Sequence, residues 1–136
     1  MKNLKNWKSF NESANNDIID NIKKLLISEY TGDDIKNMEE EWKDFVDHQE
    51  MGNCQGIVAT IITNFPEVTK VFGEIEVDEP FTDPWDEDSE PNYLFTHHWV
   101  EIDGTYYDFS KGTLKDYIDW NDVYGVETDE WRYNKL

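Results

Sequence analysis

Asp103-Gly104 stands between two runs of strand-forming residues, Tyr93 to Ile102 and Thr105 to Ser110. A two-residue loop of this composition predicts a type I′ turn, whose two central positions need positive φ. That turn fixes the register of the hairpin. Ile102 faces Thr105, Val100 faces Tyr107, Trp99 faces Asp108 and His97 faces Ser110. Side chains alternate across a sheet, so Trp99, Asp108, His97 and Ser110 share one side. His98, Val100, Ile102, Tyr107 and Phe109 take the other side, which reads as core. Parity therefore selects His97, and not His98, as the histidine within hydrogen-bonding reach of Asp108. A three-residue turn would reverse that choice.

Upstream of the hairpin the pattern is helical. Asn16 or Asp17 is placed to cap a helix carrying Ile18, Ile19, Ile22, Leu25 and Leu26 and ending near Gly32. Asp33 is expected to cap the next helix, where Ile35, Met38, Trp42, Phe45 and Val46 recur at three- and four-residue spacing. A third helix runs from about Cys54 to Asn64, closed by Phe65-Pro66. Val71 to Val77 alternates as a strand with Val71, Gly73, Ile75 and Val77 on one face. Glu79 to Asn92, with three prolines and six acids, reads as a loop. Leu114 to Trp120 reads as a short helix, and the tail from Asp122 to Leu136 as a final strand or an irregular wrap. Helices first and strands afterwards predict an α+β domain, with a helical N-terminal half and a central helix packed on an antiparallel sheet.

Two units are expected. Residues 1–12 form a basic amphipathic segment, with Lys2, Lys5 and Lys8 beside a Leu4, Trp7, Phe10 stripe. Asn11 to Asn16 reads as a linker, and residues 13–136 as a single domain. A chain of 136 residues supports one modest core, and its six tryptophans argue against global disorder.

The lone cysteine excludes an internal disulfide and points to a reducing, cytoplasmic setting. No apolar run approaches the roughly 18 residues that span a bilayer, and the first residues lack the apolar centre of a secretory signal. The formal charge of −19 argues against nucleic-acid binding, which needs lysine and arginine for phosphate, and favours cationic partners. No lysine or arginine occurs between Lys70 and Lys111.

The chemistry-bearing residues lie around Gly52-Asn53-Cys54-Gln55-Gly56 and the hairpin. A cysteine in the first turn of a helix meets unpaired N–H groups and the positive end of the dipole, and both favour thiolate. A neighbouring imidazolium favours it further, giving an ion pair suited to attack on a carbonyl carbon. Cys54 is thus the candidate nucleophile, His97 the base and Asp108 the acid that orients it. The Cys54 N–H, with Asn53, Gln55 or Gln49, is the candidate oxyanion donor set, and Trp99 a candidate substrate-positioning residue. No metal or organic cofactor is required.

Gly52-Asn53-Cys54-Gln55 resembles the Gly-x-Cys helix start of transglutaminase-like proteins. His97-His98-Trp99-Val100-Glu101-Ile102 with Tyr107-Asp108 resembles their His-Ala-Trp-Val-Glu-Val hairpin and following aspartate. Asn53-Cys54-Gln55-Gly56-Ile57-Val58 is similar to the Asp-Cys-Ser-Gly-Phe-Val start of NlpC/P60-type peptidases. Both families belong to the papain-like group. The resemblance implies a papain-like/transglutaminase-like core, cysteine-dependent amide hydrolysis or acyl transfer by Cys54, His97 and Asp108, and a peptide, protein or other amide-bearing substrate. It covers about Gly52 to Ser110. Gln55 replaces a tryptophan common in transglutaminases, and His98 replaces a small residue. Separately, the basic-aromatic start ending in Phe10-Asn11-Glu12 resembles the capsid-targeting segments of T-even-type tailed phages. That implies a phage particle or a host cytoplasm as the setting.

Three other readings compete with this one. Zinc through Cys54, His97, His98 and His48 is disfavoured, because adjacent histidines on a strand point to opposite faces. Asp86-x-Asp88-x-Glu90 alternates like a calcium loop but lacks its glycine turn. The competing function is a non-catalytic, strongly acidic binding protein, a DNA mimic that occupies a basic host enzyme with Cys54 as core.

Overall fold

The computed structural model describes residues 4–81, 88 and 90–136, with side chains from residue 16 onward except at 81. Helix α1 spans Leu4–Thr31, α2 Met38–Asp47 and α3 Asn53–Asn64. Strands β1 Thr69–Phe81, β2 Asn92–Ile102, β3 Thr105–Tyr107 and β4 Tyr133–Lys135 form one antiparallel sheet in the order β3-β2-β1-β4. The fold is α+β, with the helices first and the curled sheet after them.

The hairpin forms as its turn residues dictate. Asp103 and Gly104 both take positive φ, 49° and 78°. Val100 pairs with Tyr107 and Ile102 with Thr105, the register derived above. The ladder ends at Tyr107, sooner than expected, because the Asp108 N–H turns away to Val126 O.

Each face of the sheet carries a buried core, while Phe72 and Leu94 on the helix side stay exposed. On one, Val100, Ile102, Tyr107 and Phe109 pack against Ile22, Trp42, Val46, Val58 and Ile61 from the three helices. On the other, Val71, Ile75, Val77 and Trp99 pack beneath Leu114, Ile118 and Tyr133 from the C-terminal third. Each fully buried aliphatic side chain contributes about 1.5–3 kcal/mol. The second face exists because β4 closes on β1, and Gly73 permits that approach. A Cβ there would collide with the Asn134 carbonyl and the Trp99 ring.

Several expectations are corrected. Asn11 to Asn16 is not a linker but part of α1, for no glycine or proline interrupts residues 1–31. Asparagine and serine inside a helix cost only tenths of a kcal/mol each. Asn37, not Asp33, caps α2. Its side chain accepts the Glu40 N–H, while Glu41 accepts the Lys36 and Asn37 N–H groups. Asp33 instead donates its N–H to Thr31 Oγ1. Leu114 to Trp120 is not the expected helix; a 3-10 helix over Lys111–Leu114 ends where that helix was expected to begin. The strand expected at Val71 to Val77 runs from Thr69 to Phe81, and its pairing with β2 shifts between Glu76 and Phe81, around Pro80, which has no N–H to donate. Of the acidic segment Glu79 to Asn92, residues 82–87 and 89, among them Asp83 and Asp86, lie outside the described residues, as do the side chains of the basic segment 1–12.

Candidate active site

Gly52 is the N-cap of α3, with φ 96°, and has no side chain to engage the N–H groups of the first turn. Asn53 does not engage them either, since its Oδ1 accepts from Glu50 N–H behind it. Cys54 follows on the stripe that also buries Val58 and Ile61. The helix therefore presents a thiol to the sheet at its uncapped, positive end.

There the thiol meets β2. Its sulfur lies close enough to the His97 imidazole and the His98 backbone N–H for both to stabilise its charged form. His97 Nε2 lies 2.9 Å from Asp108 Oδ2, which leaves the other ring nitrogen for the sulfur. An ionised carboxylate only accepts, which makes Nε2 the donor and fixes the ring. Asp108 in turn accepts from the Ser110 N–H at 2.8 Å, the Ser110 hydroxyl at 2.8 Å and the Tyr133 hydroxyl at 2.6 Å. His97 and Asp108 are each 1% exposed and Cys54 9%. Cys54 is the least enclosed residue of the three.

The electrostatics follow from this arrangement. Burial of Asp108 opposes its charge, but His97, the Tyr133 hydroxyl and the Ser110 N–H outweigh that and hold it at about 2. Burial of His97 opposes its charge too. The Asp108 carboxylate and the hydrogen bonds to Asp108 and Cys54 prevail, and the imidazole is pushed up to about 9. For Cys54, burial again favours the neutral form, yet His97 and the His98 N–H draw the thiol below its ordinary value. A lowered thiol beside a raised imidazole is a thiolate–imidazolium pair over the intervening pH range.

The other candidates fall differently. Trp99 is 0% exposed. It stacks on the His97 ring at 6.2 Å and meets Tyr133 edge-on, so it backs the imidazole. Gln49 is 3% exposed, and its Nε2 donates to Phe109 O at 2.9 Å. That amide bolts the end of α2 to the strand leading into Asp108. Asn53 and Gln55 are exposed beside Cys54 and remain candidates for that role. His48 sits at the exposed C-terminal end of α2 against Asp44. Among the described residues no group of three or more His, Cys, Asp or Glu could hold a metal ion.

Sequence reasoning missed Tyr133 and the His98 N–H. Parity had put Ser110 on the right face without giving it a task, and nothing local marks Tyr133, 25 residues from Asp108. A cleft of about 390 Å³ opens between the helices, lined by Leu26, Tyr30, Phe45, Gln49, Asn53 and Ile57 among others. It follows the flank of α3 away from the 54–58–61 stripe, and Cys54 does not line it. The geometry around the sulfur, not that cleft, defines the site.

No protein-family model matches the chain, and no curated protein or solved structure matches it either.

Proposed function

We propose that this chain is a cysteine-dependent acyl-transfer protein of the papain-like, transglutaminase-like kind, acting on an amide. The observation that carries the reading is the continuous Cys54–His97–Asp108 relay, with the sulfur at an uncapped helix start. The Cys54 thiolate adds to the amide carbon, and the carbonyl electron pair moves onto oxygen. First-turn N–H groups, with Asn53 or Gln55, receive that oxyanion; one such donor contributes about 3 kcal/mol. The His97 imidazolium gives its proton to the leaving amine as the C–N bond breaks, leaving a thioester on Cys54. Water or a second amine then loses a proton to His97 and attacks the thioester, restoring thiolate and imidazolium. Asp108 keeps the ring oriented throughout.

The charge of −19 favours a cationic or lysine-bearing substrate. No helix among the described residues is long and apolar enough to cross a membrane.

Reaction with p-nitrophenyl acetate tests the proposal. An acetyl adduct should form on Cys54, be absent in Cys54→Ala, and discharge to water or to an added primary amine. Absence of the adduct from the wild-type sulfur would overturn the reading. The acidic surface would then be the functional feature, with basic-protein binding that falls steeply with salt and survives Cys54→Ala.

A further inference from the structure

A carboxylate offers about four lone-pair sites. Those of Asp108 meet four donors: His97 Nε2, the Tyr133 hydroxyl, the Ser110 N–H and the Ser110 hydroxyl. Two of these, the Tyr133 and Ser110 hydroxyls, come from side chains outside the Cys54–His97–Asp108 relay. A carboxylate needs neither to be held in a β-hairpin, and both are buried with it.

We infer that Tyr133 and Ser110 are positioning residues that share the charge of Asp108 and so limit how firmly it holds the His97 proton. The inference rests on the acyl-transfer reading for its catalytic meaning, though not for its measurement. The balance matters chemically. His97 must release a proton to the leaving amine and take one from the attacking group, and a carboxylate with fewer donors would grip the imidazolium more tightly. Each hydroxyl that hydrogen-bonds the charged form of Asp108 weakens its pull on the ring.

The geometry gives Tyr133 a second consequence. It opens β4, so the last strand of the chain carries a part of the site. Its ring packs edge-on against Trp99 and beside His97, and Arg132 just before it anchors the turn through Glu76 O and Asp78. The site is thus complete only when β4 is seated on β1.

The titratable groups acting on this cluster are few. Cys54 comes from α3, Tyr133 from β4, Lys111 from the 3-10 turn and His98 from the next position of β2, while Arg132 and Asp129 act on Tyr133. The Tyr133 hydroxyl is held well above its ordinary value of 10.0 by burial and by Asp108, so it stays protonated while His97 titrates.

The test is the titration of the His97 ring by NMR in wild type, Tyr133→Phe and Ser110→Ala. Tyr133→Phe keeps the ring packing and removes only the O–H. Ser110→Ala removes the second hydroxyl and leaves the backbone N–H, and serves if the first variant folds poorly. Each should raise the His97 midpoint by about half a pH unit, in the same direction. A purely structural role would lower thermal stability and leave the midpoint where it was. An unchanged or lowered midpoint in folded variants would overturn the inference. Failure of the acyl-transfer reading looks different, as a wild-type Cys54 that takes no acetyl group while the His97 shifts persist.

Discussion

At Cys54 two opposing effects meet, and which one prevails decides whether this is a reactive thiol. Burial resists the thiolate, and in isolation a cysteine ahead of an apolar helix is a small core residue. His97 and the His98 N–H reverse that outcome. The relay was legible because it rests on short-range rules: an Asp-Gly turn sets parity, and parity selects His97 over His98. Tyr133 and Gln49 were not legible in their roles, because a hydrogen bond across 25 or 60 residues leaves no periodicity in the sequence. Gln49 gives a prediction at this scale. Gln49→Ala should destabilise the fold by about 1–3 kcal/mol, since it abandons the buried Phe109 carbonyl. Denaturant unfolding will show that loss, while the acetylation rate of Cys54 in the folded variant should change little. A large rate loss at unchanged stability would instead mark Gln49 as an oxyanion donor.

Among the elements, α3, the hairpin and the buried face of β1 follow from local pattern, and the start of α2 does not. Both Asp33 and Asn37 are good caps, and only the reciprocal bonds with Glu40 and Glu41 separate them. Asn37→Ala should therefore cost about 1 kcal/mol and Asp33→Ala far less, as read from thermal melts. The short strand β4 was harder to place, because three residues carry almost no alternation and their partner is β1, some sixty residues upstream. Its seating depends on Gly73. Gly73→Ala should cost about 1–3 kcal/mol through collision with Asn134 and Trp99. Because Tyr133 rides on β4, the same substitution should also slow Cys54 acetylation. Stability unchanged by Gly73→Ala would contradict the close approach.

For the molecule as a whole, the buried relay makes stability depend on pH at both ends. His97 is pushed up to about 9 from an ordinary 6.5. The stability tied to its charge is complete below 6.5 and lost as pH rises through about 9. Asp108 is held at about 2 against an ordinary 3.8. Its contribution is complete above 3.8 and lost as pH falls through about 2. Urea midpoints measured across pH should fall at both edges, and His97→Ala should remove the alkaline fall. A surface of formal charge −19 also repels itself, so added salt should raise the midpoint near neutrality.

The most direct test is the pH dependence of Cys54 alkylation by iodoacetamide in wild type and His97→Ala. A thiolate–imidazolium pair predicts fast wild-type alkylation well below pH 8, and a shift of its acidic edge toward the ordinary thiol value of about 8.5 in His97→Ala. Two superimposable curves rising only near that ordinary value would show an inert thiol and contradict the account.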